Sequence, residues 1–170
     1  SRLLTGNSSL YDKLEAQIAK EHAVENALIF NSGYTANLGL FSAIPKRNDY
    51  IVYDQYAHAS IRDGIKLSNA KSFSFKHNNL EALTEKLQRI RATDKENEIY
   101  VVTESVFSMD GDTPDLITMA NICEAFNACF IVDEAHAIGV FGHGLVNEYN
   151  LQNNVWAQII TFGKAIGCHG

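Results

Sequence analysis

Apolar residues recur along this chain in two alternating rhythms, one helical and one extended. Leu10, Leu14 and Ile18 follow at helical spacing behind Ser9 and Asp12, a hydroxyl and a carboxylate three residues apart that resemble a capping box. A first amphipathic helix is therefore predicted to about His22, packed on a sheet. The run Ala27-Leu28-Ile29-Phe30 reads as a buried strand, closed by Asn31-Ser32-Gly33 in a tight turn into a helix from Tyr34 to Ala43. The alternation continues with strand Tyr50–Tyr53, helix Ala59–Leu67, strand Ser72–Phe75 and an Asn78-capped helix that turns Leu80, Leu83, Leu87 and Ile90 inward. Strand Ile99–Thr103, helix Asp115–Phe126 behind Pro114, strand Cys129–Val132 and strand Gln158–Thr161 complete it. Strands that alternate with helices and are apolar on both faces predict an α/β fold of three layers, a mainly parallel sheet covered by helices on both faces. No repeat, low-complexity stretch or linker divides residues 1–170, and the polar segment from Thr93 to Glu98 is the predicted surface loop.

Composition narrows the function classes. The chain has 170 residues, 46% hydrophobic and 20% charged, enough for one real core. A formal charge of -6 argues against nucleic-acid or anionic-membrane partners, which need clustered Lys and Arg. Cys123, Cys129 and Cys168 are odd in number and lack CxxC spacing; the first two sit in apolar stretches and are expected to be buried thiols, which places the chain in a reducing cytoplasm. No apolar run approaches a membrane span and the start carries no export signal. The chain has no initiator Met and stops within Gly163-Lys164-Ala165-Ile166-Gly167-Cys168-His169-Gly170, so it is expected to be one domain truncated at both ends.

In an open parallel sheet, ligands bind beyond the carboxyl ends of the strands. Ser32, Gly33 and Tyr34, then Tyr56 and His58, then Glu104, Ser105 and Ser108, then Asp133, Glu134 and His136, and last Thr161 and Lys164 follow five of the predicted strands, and all are expected to face one crevice. Together they supply what a phosphorylated, cationic aromatic ring needs: N–H groups at a helix start, hydroxyls, a carboxylate, a ring to stack on and an amine. Singly, each has a plainer reading. Gly33 permits a tight turn, His58 or His136 is a hydrogen-bonded structural histidine, Asp133 caps a helix, and Lys164 is a solvated lysine.

The motifs carry more. SGYTAN at Ser32 to Asn37, HAS at His58 to Ser60, TESVFSMDGD at Thr103 to Asp112, VDEAHAIGVFG at Val132 to Gly142 and TFGKAIG at Thr161 to Gly167 resemble the α-oxoamine synthases in order and spacing. These are fold-type-I pyridoxal-phosphate enzymes that condense an amino acid with an acyl thioester. The resemblance implies that residues 1–170 are the cofactor-binding large domain, with the small C-terminal domain and its substrate-gripping arginine lying elsewhere. It implies Gly33 and Tyr34 as helix-start contacts to pyridoxal 5'-phosphate, His58 as the ring stacked on the pyridine face, and Ser108 and His136 as hydrogen-bond partners of the cofactor. Asp133 is implied as the carboxylate on the pyridinium nitrogen, Thr161 as a phosphate ligand and Lys164 as the lysine that holds the cofactor as a Schiff base; the catalytic set is Lys164, His58 and Asp133. SRLLTGN at the start and TFGK near the end are most similar to the biotin-pathway branch, which joins alanine to a pimeloyl thioester with loss of carbon dioxide. A cytoplasmic homodimer is implied as well.

Other readings weigh less. VDEAH resembles a helicase motif, but GxxxxGK[ST] is absent because Ala165 follows Gly163-Lys164. A metal site from Asp133, His136 and His143 has no HExxH or paired-Cys spacing, so no metal is expected. Another α-oxoamine synthase acting on glycine or serine is an alternative, as is a non-catalytic scaffold subunit of the same fold; Lys164 argues against the latter.

Overall fold

A computed structural model describes residues 2–168; Ser1, His169 and Gly170, the outer ends of the first and last segments singled out above, lie outside it. Five strands form one all-parallel sheet, β1 Tyr50–Asp54, β2 Lys71–Phe75, β3 Ile99–Glu104, β4 Cys129–Asp133 and β5 Ala157–Ile159, in the order β2-β1-β3-β4-β5. Helices α1 Ser9–Glu21, α2 Gly33–Ala43, α3 Ala59–Leu67, α4 Leu80–Thr93, α5 Leu116–Ala125 and the short α6 Leu145–Glu148 surround it, with a π-helical turn at Arg2–Gly6.

Alternate residues of each strand enter different layers. Val52, Val101, Phe130 and Val132 pack with Leu83, Leu87, Leu116, Met119 and Leu145 under α4, α5 and α6. Ile51, Tyr100, Val102 and Ile131 pack with Phe41, Ile61 and Ile65 under α2 and α3. This is the three-layer arrangement expected of strands apolar on both faces. The edge strand β2 departs from it: Lys71, Ser72, Phe73 and Ser74 are exposed and Phe75 alone is buried, because an edge strand is covered on fewer sides.

The amino-terminal segment departs further from expectation. Ala27-Leu28-Ile29-Phe30 forms no strand, and Leu28 is 66% exposed. The backbone groups of Ile29 are taken by side chains instead: its N–H donates to Glu15 Oε1 at 2.8 Å, and Arg2 Nη1 donates to its carbonyl at 3.2 Å while also pairing with Glu15. Helix α1 forms as predicted, but Leu10 and Leu14 face outward and do not pack on the sheet. Ser8, not Ser9, is its N-cap, with no side-chain cap bond, so the predicted capping box does not form. Asn79, not Asn78, caps α4, accepting from Ala82 N–H at 2.7 Å; Asn78 sits at φ 50 with other partners. Of the cysteines expected to be buried, Cys123 is buried and Cys129 half-buried.

Candidate functional site

The carboxyl ends of the strands gather the polar residues. Thr103, Glu104 and Ser105 at the end of β3 and Asp133 and Glu134 at the end of β4 are all buried, which for carboxyl groups requires hydrogen-bond partners. Asp133 has them. Ala135 N–H donates to its Oδ1 at 2.9 Å, and Asn37 Nδ2, from α2, donates to its Oδ2 at 2.8 Å. The same Asn37 Nδ2 reaches Ser60 Oγ in α3 at 3.1 Å. Helices α2 and α3 can share this residue because Gly64 lets them close: a Cβ there would stand 2.8 Å from the Asn37 carbonyl oxygen.

His58 is the N-cap of α3, placed by two contacts. Its backbone N–H donates to Glu104 Oε1 at 2.7 Å, and its Nδ1 lies 2.8 Å from Ser60 Oγ. Tyr34, at the start of α2, approaches the His58 ring edge-on at 6.4 Å and donates its hydroxyl to Asp63 Oδ2 at 2.5 Å. Burial, with the charge of Asp133 adding to it, pushes the Glu104 carboxyl up to about 7.

Lys164 lies in the turn after β5, and its Nζ is 2.6 Å from His136 Nε2 in the turn after β4. Burial and then the lysine charge hold the imidazole below its ordinary range. An ammonium only donates, so a neutral His136 accepts at Nε2 and keeps its proton on Nδ1. Desolvation likewise lowers the Lys164 amine, while the charges of Asp133 and Glu104 work against that shift. Gly33, which opens α2, faces Thr161: a Cβ on Gly33 would fill the space 3.4 Å from Thr161 Cβ. Ser32 N-caps α2 by accepting from Thr35 N–H at 3.2 Å, and Gly33 and Tyr34 are the first two residues of the helix.

The structure thus brings together His58, Asp133, His136 and Lys164, with Gly33 and Thr161 adjoining across the start of α2. Three expected members, Ser108, Tyr56 and Glu134, stand apart. Ser108 is exposed and lines a cleft of about 310 Å³ with Gln55, Tyr56, Arg62 and Phe107. Glu134 turns into the interior, where its Oε1 accepts from Val146 N–H at 3.2 Å. The first group, Ser32 to Tyr34, follows a segment without regular secondary structure rather than a strand. His143, considered above with Asp133 and His136, lies edge-on to the His22 ring at 5.6 Å, and among the described residues no three His, Cys, Asp or Glu side chains gather as metal ligands. Asn37 carries no functional signal of its own in the sequence: it lies inside SGYTAN, but its carboxylate partner belongs to a distant motif.

The sequence matches the family described as aminotransferase class I and II over residues 1–170. It is 42% identical over 173 residues to an 8-amino-7-oxononanoate synthase of Chlorobaculum parvum, covering 100% of this chain and 44% of that protein. The structure of a Sphingomonas wittichii serine palmitoyltransferase superposes with a TM-score of 0.93 at 35% identity, covering 100% of this chain and 43% of that one. A serine palmitoyltransferase of S. paucimobilis with bound pyridoxal phosphate and myriocin gives 0.93 at 33% identity, with the same coverage. The chain spans less than half the length of these relatives.

Proposed function

The chain belongs to the aminotransferase class I and II family, and on that premise we propose that it is the cofactor-binding part of a pyridoxal-phosphate-dependent α-oxoamine synthase. The reaction proposed is the condensation of L-alanine with pimeloyl-CoA or pimeloyl-ACP, with loss of carbon dioxide, in biotin biosynthesis, by a cytoplasmic homodimer. The observation that carries this reading is the convergence of an amine, an imidazole and a buried carboxylate at adjacent strand ends, with Lys164 Nζ 2.6 Å from His136 Nε2 and Asp133 held by Asn37.

The residues fit the cofactor. A glycine at the α2 start leaves open the space that a Cβ would take beside Thr161, as a phosphate cradle between helix-start N–H groups and a hydroxyl requires. Pyridoxal phosphate, when bound, supplies an electron sink for the charge left on a substrate's α-carbon. Asp133 would hold a proton at the ring nitrogen through a charge-assisted bond, and Asn37 and Ala135 fix the direction of that carboxylate. His58 offers a flat ring whose backbone is tied down by Glu104. His136 would hydrogen-bond the cofactor at its phenolic oxygen, and Ser108, which lines the neighbouring cleft, would serve as a further hydrogen-bond partner once its loop lies against the bound cofactor. Lys164 would provide the amine that attaches the cofactor and then accepts the α-proton; desolvation lowers this amine although its side chain stays exposed.

A second reading, serine with a palmitoyl thioester, is favoured by the superposition on serine palmitoyltransferases. The deciding experiment supplies the full-length protein with alanine and pimeloyl thioester, or with serine and palmitoyl thioester, and follows carbon dioxide release. Release with the first pair supports the proposal, release with the second alone assigns the alternative, and release with neither refutes both substrate assignments. Residues 1–170 by themselves are expected to show no turnover, and light scattering of the full-length protein is expected to give a dimer.

A further inference from the structure

One polar cluster at this end of the sheet takes no part in the reading above. His77, in the turn after β2, has a carboxylate on each ring nitrogen: Nδ1 is 2.9 Å from Asp54 Oδ1 and Nε2 is 2.8 Å from Asp112 Oδ2. Carboxylates only accept, so both bonds form together only when both nitrogens carry protons. Tyr56 stacks on the ring at 4.4 Å and Phe107 meets it edge-on at 4.5 Å. Asn78, held at φ 50, reinforces the pair: its N–H donates to Asp54 Oδ2 at 3.0 Å and its Nδ2 to Asp112 Oδ2 at 2.6 Å. Asp54 also accepts from Tyr56 N–H at 2.8 Å, and its side chain is fully buried.

Asp112 belongs to the 105–113 loop that carries Ser108. That loop is closed largely on itself, with Phe107 N–H on the Asp112 carbonyl at 3.0 Å and Gly111 N–H on the Phe107 carbonyl at 2.8 Å, the glycine at φ 70. Ser105 ties its start to the Asp133 carbonyl at 2.9 Å. Its far side reaches the sheet through Asp112, by way of His77 and Asn78.

We propose that His77, doubly protonated between Asp54 and Asp112, is a positioning residue: a cationic pin that fastens the Ser108 loop to the end of β1 and releases it when the ring loses a proton. The proposal rests on the function above only in taking Ser108 to serve the cofactor. Burial opposes the charge, but the bonds and charges of Asp54 and Asp112, the two charged groups facing the ring among the described residues, outweigh it and raise the histidine above 6.5. The pin is therefore at full strength below the ordinary histidine value, and its contribution is lost as pH rises through the raised one.

The test uses the full-length protein as wild type, His77→Gln and Asp112→Asn; Asp112, whose side chain is 38% exposed, keeps a variant available should His77→Gln fail to fold. Histidine NMR is expected to show His77 titrating above the ordinary value in wild type and shifted downward in Asp112→Asn. Amide exchange is expected to show protection of the 105–113 segment falling about tenfold or more in His77→Gln, as suits loss of a charge-assisted bond. Wild-type protection is expected to fall to the same level at high pH. A histidine that titrates at or below the ordinary value, or equal protection in all three forms, overturns the pin. Weaker pyridoxal phosphate binding alongside a loosened loop supports both the pin and the site reading. A loosened loop with unchanged affinity supports the pin and removes Ser108 from the cofactor site.

Discussion

Glu104 and Asp133 are register partners at the ends of β3 and β4, each 4% exposed, so two carboxyl groups stand side by side in the interior. Their partners divide the roles. Asp133 accepts from two donors, Ala135 N–H and the Asn37 amide, whereas Glu104 has the single His58 N–H. The buried pair holds one charge more readily than two, and Glu104 is the member pushed up to about 7.

Glu104→Gln should therefore stabilise the folded protein at alkaline pH. A carboxyl whose pKa is raised on folding contributes stability while protonated, below its ordinary value of 4.5, and that contribution is lost as pH rises through about 7. The difference corresponds to about 3 kcal/mol as an upper bound. Glutamine keeps an oxygen for His58 N–H and carries no charge, so the expected gain appears at pH 8 and vanishes near pH 4. Thermal denaturation of the full-length protein at the two values measures it, and a variant less stable than wild type at pH 8 would show that the buried charge costs nothing.

Asp133→Asn should damage turnover more than cofactor retention. Both carboxylate oxygens accept hydrogen bonds, so an amide at this position sets a donor against Asn37 Nδ2 or Ala135 N–H and loses the charge that holds a ring proton. The ground-state bond lost is worth roughly 1.5–3 kcal/mol, about ten- to a hundredfold in affinity. The loss in kcat is expected to exceed that, because the charge matters most as the substrate carbanion develops. Comparing kcat with the pyridoxal phosphate dissociation constant in the full-length variant decides; wild-type turnover contradicts the role.

Borohydride reduction of the loaded full-length protein should leave a phosphopyridoxyl label on Lys164. The amine lies 2.6 Å from His136 Nε2, where a neutral imidazole accepts its proton. Peptide mass analysis locates the label, and attachment to another lysine overturns the assignment. Lys164→Ala is expected to release the cofactor on dialysis while retaining the wild-type circular dichroism spectrum.

Gly144→Ala should be among the most destabilising single changes in the chain, and Gly142→Ala a mild one. Both glycines have positive φ, 95 and 56 respectively. A Cβ on Gly144 would stand 2.1 Å from Glu134 Oε2, whose side chain cannot swing away because it is fully buried and bound to Val146 N–H; a Cβ on Gly142 meets nothing within 4 Å. The expected costs are about 3 kcal/mol or more against about 1 kcal/mol. The midpoint of chemical denaturation separates them, and equal shifts would contradict the packing argument.

Helix α3 follows its sequence signal to the residue, from Ala59 to Leu67, because the apolar period, the capping His58 and the burial of Ile61 and Ile65 agree. The strand-end positions of His58, Asp133 and Thr161 were legible for the same reason: apolar runs end where polar groups begin. Ala27–Phe30 misleads because an apolar run does not reveal who takes its amide protons, and here the taker is Glu15, from the preceding helix. Asn37 was illegible as a partner of Asp133 because that pairing needs α2 packed on α3 and brought against the end of β4. His77 reads locally as a turn residue, and only the approach of Asp54 and Asp112 from either side gives it a charge to balance.

The order β2-β1-β3-β4-β5 has a consequence for how the chain acquires its shape. Every pairing is parallel, so no two strands can be joined by a tight hairpin, and the pair nearest in sequence, Tyr50 with Lys71, must first enclose the whole of α3. The partner of β1 on its other side, β3, arrives only after two further elements have been made. Loop-closure entropy must therefore be met before any ladder bond repays it, which sets this sheet among slow folders of high contact order, with helices rather than hairpins as the earliest structure in the kinetics.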